Sequence, residues 1–465
     1  MKKYFGLSHA LILITILTLI LAPRPIMGYL DLKAAIHFDQ SGNWSQAGQA
    51  YVSAAQRIPW MPTLWEKAGK LALQSGEVDN AIALLNQAVT QGAITPEGWL
   101  TLGDAYQKRG QLSHAVDAWQ KAMPLAPAAS SLATAERSLG NFIKAIEYWR
   151  ISITLEPGKA TPHYELGLLL AATEPKQALP ELMRADQLNL ELDKPVQSLR
   201  TALNIAFQSD DEAYQLVVSG RALAALDQWD LAGEAFRRAT LKNPDYAEAW
   251  AWLGEAKQQL GMDGHIQIDK ALSLNPGSTI VSGLYGMYLQ RQGQPAAART
   301  AFQKAADLEP GDPVWQMALG SASAQTGDLV AAYGYYLQAV HLAPEDPSTW
   351  RALAAFSLAY SVDVKDAGLP AAQKLVGLAP DEWQSYDLAG QAEFLLNDLV
   401  SSETYLKKAV LMAPTQAIPA LHLGLLYLQS GDRASAYSYL SLAKTFDPNG
   451  AAGWQAERLL GEYFP

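Results

Sequence analysis

Seven histidines, His9, His37, His114, His163, His265, His341 and His422, are the side chains of this sequence best suited to move a proton or hold a metal. Their spacing favours neither use. No two lie three or four residues apart, the interval that would set a pair of imidazoles on one helical face. Cysteine is absent, which removes disulfides, thiolate metal sites, a cysteine nucleophile and a cysteine for lipid attachment. The phosphate-cradling Gly-x-x-x-x-Gly-Lys, the dinucleotide Gly-x-Gly-x-x-Gly and the nucleophile elbow Gly-x-Ser-x-Gly are missing too. Acidic pairs do occur, at Asp210-Asp211 and Asp381-Glu382, but both precede helical patterns, where negative charge meets the positive end of the helix dipole. Asn43-Trp44-Ser45 matches a glycosylation sequon, yet Asn43 stands at a recurring helix start and is better used as a cap. The expectation is no catalytic residue, no metal and no cofactor.

The elements that would position any site are written in a repeat. Seven times a Gly is followed by a polar residue and, five positions after the Gly, by Ala. The pairs are Gly42 and Ala47, Gly76 and Ala81, Gly110 and Ala115, Gly140 and Ala145, Gly293 and Ala298, Gly327 and Ala332, and Gly431 and Ala436. Several copies fall 34 residues apart, the interval of a stacked helix-turn-helix unit that cannot bury its own apolar face. The Gly ends the first helix in the left-handed conformation, and the polar residue after it starts the second. The Ala lets the two helices approach. A large apolar residue four positions on and a small one seven positions on, as in Ala115, Trp119 and Ala122, keep one stripe of the second helix facing the core. Pro127, Pro310, Pro344, Pro414 and Pro448 then close their units.

The run Trp99-Leu100-Thr101-Leu102-Gly103-Asp104-Ala105-Tyr106, followed by Gly110, Ala115, Trp119, Ala122 and Pro127, resembles a full tetratricopeptide repeat. The resemblance implies an all-α superhelical solenoid of about twelve such repeats with a C-terminal capping helix. Five repeats are expected over 28–192, the fourth with a shortened first helix. An inserted helix at 193–212 follows as the candidate boundary, then seven repeats over 213–450 and a capping helix at 451–465. Altered turns are expected around Gly261–Gly264 and Ser361–Lys365. Trp65, Trp99, Trp119, Trp149, Trp250 and Trp350 fall at positions that pack helices together.

Charged residues make up 17% of the chain, so much of its surface must be neutral. The net charge of −11, without a Lys/Arg cluster larger than a pair, argues against a nucleic-acid partner. Lys2 and Lys3 precede the uncharged run Ala10–Ala22, after which Pro23-Arg24-Pro25 breaks the helix. Residues 1–27 therefore read as a membrane anchor, or a signal that is removed, with the repeats outside the cytoplasm.

The family resemblance also implies which residues line the inner groove, since a key inward position follows the Gly or Ala of each Leu-Gly pair. That position holds Ile36, Lys70, Asp104, Thr134, Leu168, Arg221, Glu255, Met287, Ser321, Ala355, Gln391 and Leu425, with Met317, Leu358, Phe394, Leu421 and Leu428 on the same face. Beyond Glu255 the position is neutral or apolar, which suits an amphipathic helix or an apolar peptide of a partner protein. The expected function is a membrane-tethered interaction scaffold of the kind that assembles envelope, secretion or polysaccharide machinery. A glycan-binding accessory, or a non-catalytic subunit of a glycosyltransferase or polysaccharide-export complex, is the alternative.

Overall fold

The computed structural model describes residues 23–464, and every regular element among them is helical. Of the expected anchor or signal segment, 1–27, residues 1–22 lie outside the described residues, and 23–27 belong to the helix Pro23–Gln40. No helix among those described is long and apolar enough to cross a membrane. The chain divides into two units of dense internal packing, one ending at Lys242 and the other beginning at Asn243. Each is a stack of antiparallel helix pairs, as the 34-residue interval requires.

Within a pair, the turn works as its residue types dictate. All seven glycines of the motif have positive φ, from 70° to 86° for the six at 76, 110, 140, 293, 327 and 431 together with Gly42 at 74°. Two repeats that lack the Gly achieve the same turn with Asp227 at 60° and Asn397 at 64°, short polar residues that tolerate this region better than most. The following polar residue caps the second helix in several repeats, although Asn141 turns to Glu136 instead. Asp328, Asp398 and Asp432 accept from the main-chain N–H three residues on, at 3.1, 3.0 and 3.1 Å. Glu77, Gln111 and Gln294 make no such bond.

Close approach of the paired helices uses two small residues, not one. The seven motif alanines are fully buried. On the opposite helix, Gly103 lies against Trp119, so that a Cβ on Gly103 would stand 2.4 Å from the indole. The same Gly-on-large contact recurs as Gly69 with Leu85, Gly220 with Phe236, Gly286 with Phe302 and Gly424 with Leu440. Full burial of a side chain such as Trp119 contributes about 3 kcal/mol, and it is possible only because the facing residue has no side chain.

Pro23 and Pro25 occupy the first turn of the helix Pro23–Gln40, where a missing N–H costs little. Three sequence expectations are corrected here. Pro127 likewise lies in the first turn of Ala126–Ser138 and does not close a unit. That helix is full length, 13 residues, so the shortening in the fourth repeat falls in the connection after Ala122 and not in the helix. Finally, the inserted helix Asp193–Ala206 does not part the stack. The hairpin Glu212–Ala225 and Trp229–Lys242 packs back onto Ala160–Thr173, and Ser219 Oγ donates to the Ala171 carbonyl at 2.6 Å in the buried contact.

Arg137 braces this bypass. Its guanidinium donates to Asp230 at 2.8 and 2.9 Å, to Gln228 at 2.6 Å and to Glu165 at 2.9 Å, joining three hairpins of the first unit. Burial alone would raise the Asp230 carboxyl, but the Arg137 hydrogen bonds and charge outweigh it and hold it below the usual range. Burial dominates at Glu165, whose carboxyl is pushed up despite Arg137.

The two altered turns differ in kind. Met262–Gly264 leave the second helix of that repeat only ten residues, His265–Leu274. The other carries left-handed Ser361 and Asp363 followed by a π-helical turn, Val364–Gly368, a geometry that Tyr333 stabilises by donating to Asp363 at 2.7 Å.

Two substitutions separate packing from backbone conformation. Gly103→Val is expected to cost about 3 kcal/mol through overpacking against Trp119. Gly110→Ala, with open space around it, is expected to cost about 1 kcal/mol through left-handed strain alone. Chemical denaturation of both variants checks this; equal losses would contradict the assigned contacts.

Candidate binding groove

Five of the expected groove residues converge in the second unit. Ala355 and Leu358 come from the helix Pro347–Tyr360, Gln391 and Phe394 from Trp383–Leu395, and Leu425 from Ala417–Ser430. With Leu388, Leu395 and His422 they line one cavity of about 360 Å³. Three successive first helices thus contribute at the same register, as a 34-residue interval demands. The walls are mostly apolar because these positions carry Ala, Leu and Phe.

One polar cluster interrupts the apolar wall. Asp387, buried within the helix Trp383–Leu395, accepts from His422 Nδ1 at 2.8 and 3.0 Å and from Gln391 Nε2 at 2.8 Å. For a carboxylate to accept there, Nδ1 must carry a proton, which fixes the orientation of the imidazole ring. The carboxylate so consumes one end of each partner. Nε2 of His422 and Oε1 of Gln391 are the polar atoms of those two cavity-lining side chains that the bonds to Asp387 do not use. Among the described residues, no three His, Asp or Glu side chains converge as ligands.

The other expected positions have different surroundings. Leu421 is buried among Leu440, Ala443 and Leu459, with Leu425 and Leu428 packed against that cluster. Met317 packs beside Tyr336, Leu353 and Phe356. Ser321 accepts from Gln290 Nε2 at 2.8 Å, and Met287 is 37% exposed. Glu255 does not present its charge to a groove. It is 2% exposed and satisfied by Arg291 at 2.6 Å and by Gln259 at 2.8 Å. Leu168 is fully buried in the first unit, where Arg221 is exposed. Asp104 likewise turns to a structural partner, accepting from Trp119 Nε1 at 2.9 Å, with burial raising its carboxyl.

Asp387 and His422 were not distinguished by the sequence motifs, although a signal exists. Gln391 follows Asp387 by four residues, and His422 follows it by 35, one repeat and one residue. That interval brings side chains of successive first helices together. Of the expected packing tryptophans, Trp119 and Trp149 are buried. Trp250 and Trp350 donate to the carbonyls of Pro244 and Pro344, at 2.8 and 2.7 Å.

Removing His422 leaves the Asp387 carboxylate buried with a single neutral donor. His422→Ala is expected to destabilise the second unit by about 3 kcal/mol, and Asp387→Asn to offset much of that loss in the double variant. A double-mutant cycle from urea denaturation measures the coupling; additive effects would show that the pair is not coupled.

Comparison with known proteins matches part of this repeat to a known profile. A profile described as tetratricopeptide repeat matches residues 32–96, 66–130, 218–257 and 286–347. No curated protein matches the chain. Among solved structures, the APC/C hetero-tetramer Cut9–Hcn1 is similar over 96% of this chain and 99% of that one, at 13% identity and a TM-score of 0.43. Yeast Tom70 is similar over 94% and 95%, at 14% identity and a TM-score of 0.43. MamA from Desulfovibrio magneticus RS-1 covers 37% of this chain and 95% of its own, at 23% identity and a TM-score of 0.33. At such identities and scores these likenesses carry no functional argument. The matched stretches include Gly42, Gly76, Gly110, Gly293 and Gly327 with their alanines, and the facing pair Gly103 and Trp119, so over those residues the helix pairs are tetratricopeptide repeats.

Proposed function

We propose that this chain is a non-catalytic scaffold that holds other proteins, and that the cavity of the second unit receives an apolar helix or peptide segment of a partner. The observation that carries this reading is the single apolar cavity to which Ala355, Leu358, Gln391, Phe394 and Leu425 contribute from three successive repeats. An apolar face laid across them buries hydrocarbon on both sides, and Met287 and Met317 on neighbouring first helices offer adaptable contacts. The oriented His422 and Gln391 set a polar point within that surface, which selects segments carrying a hydrogen-bonding group there.

The setting proposed for this scaffold is the outer side of a membrane, in assembly of envelope, secretion or polysaccharide machinery. Support for tethering comes from the N-terminal residues, where Lys2 and Lys3 precede the uncharged Ala10–Ala22. Treating intact cells with an external protease tests the topology; repeats protected until lysis would refute it.

Phe394→Glu with Leu425→Glu places two charges in the cavity. Crosslinked pull-down from intact membranes should then lose partners captured by the unaltered chain, while the melting transition of the variant verifies folding. Undiminished capture by a folded variant would exclude this groove as the interface.

A further inference from the structure

A second cavity, of about 220 Å³, lies in the first unit between the helices of the first two repeats and is lined by Trp44, Gln49, Val52, Glu77, Asn80 and Leu84, among others. Gly48 of the Trp44–Arg57 helix also lies on its wall. Trp44 begins the helix and is 45% exposed, unlike the tryptophans that pack repeats together.

Glu77 is the one charged residue lining this cavity. Three neutral groups hold its carboxylate. Asn80 Nδ2 donates to Oε2 at 2.9 Å, while Ser45 Oγ and Ser75 Oγ donate to Oε1 at 3.1 and 3.3 Å. The hydrogen bonds from Asn80 and Ser45 hold the carboxyl below its ordinary range. Among the described residues no Lys or Arg forms an ion pair with Glu77, although its neighbour Asp79 pairs with Arg109 at 3.0 Å. The result is an oriented anion whose donors come from both repeats, facing an indole and the hydrocarbon of Val52 and Leu84, with no countercharge.

We propose that this cavity binds a guanidinium group, presented as an arginine side chain of a partner. A carboxylate takes a guanidinium through charge-assisted hydrogen bonds, tryptophan is the best aromatic partner for a cation, and Val52 and Leu84 suit the alkyl stem that an arginine buries along apolar surface. A neutral polyol could use the indole and the Gln49 amide, but would leave the charge of Glu77 uncompensated. The site is independent of the second-unit groove, so neither reading depends on the other.

Saturation-transfer NMR on the full chain with N-acetyl-arginine amide tests the proposal, with N-acetyl-citrulline amide as the neutral isostere and methyl glucoside as the sugar. Transfer is expected from the arginine compound alone, with affinity weakened at least tenfold by Glu77→Gln and by Trp44→Ala. Both side chains are exposed, so circular dichroism melts of the two variants should match the unaltered chain. The proposal is overturned if no transfer occurs, if citrulline serves equally well, if the sugar gives the stronger signal, or if either folded point variant retains full affinity.

Discussion

A residue without a side chain on one helix, pressed against a large side chain on its partner, is the contact on which each repeat depends. At Gly103 and Trp119 the separation leaves no room even for a methyl group, and the same exclusion recurs along both units. It fixes the distance and rotation of the paired helices. The faces presented to the next pair are thereby fixed as well, because side chains on a helix keep their angular positions once its axis is set. Stacking needs only nearest-neighbour contacts, so one local rule, repeated, generates each unit.

Tolerance to change follows from where that contact is absent. Turns vary freely: Gly is replaced by Asp227 or Asn397, a π-helical turn is inserted at Val364–Gly368, and residues are lost before His265. None of these disturbs the facing small and large residues. The insertion at 193–206 is the largest departure, and the stack accommodates it by looping past it. Arg137 supplies polar cross-hairpin ties at that point, satisfying carboxylates whose burial would otherwise be costly.

Function is then a matter of what the repeats leave on the surface of their first helices. In the second unit those positions carry small and apolar residues, and the cavity they form is interrupted by a buried carboxylate that orients His422 and Gln391. Under the proposed function, hydrocarbon there supplies affinity and a few fixed polar atoms supply selection. The first-unit cavity has a different character, since its polar wall carries an uncompensated charge. Two unlike pockets on one scaffold suit a protein that holds partners at more than one place.

The sequence by itself determined the repeat, the helix pairs, their left-handed turns and the small residues between them, because each of these follows from local sterics within about 34 residues. It also placed Ala355, Leu358, Gln391, Phe394 and Leu425 on one face, since identical positions in successive repeats must align. Tertiary structure alone decided that the chain loops past 193–206, that Glu255 is consumed by Arg291, and that Asp387 meets His422. Those outcomes depend on contacts between side chains of different repeats. Nothing in the residues of a single unit specifies which neighbour will be there to meet them.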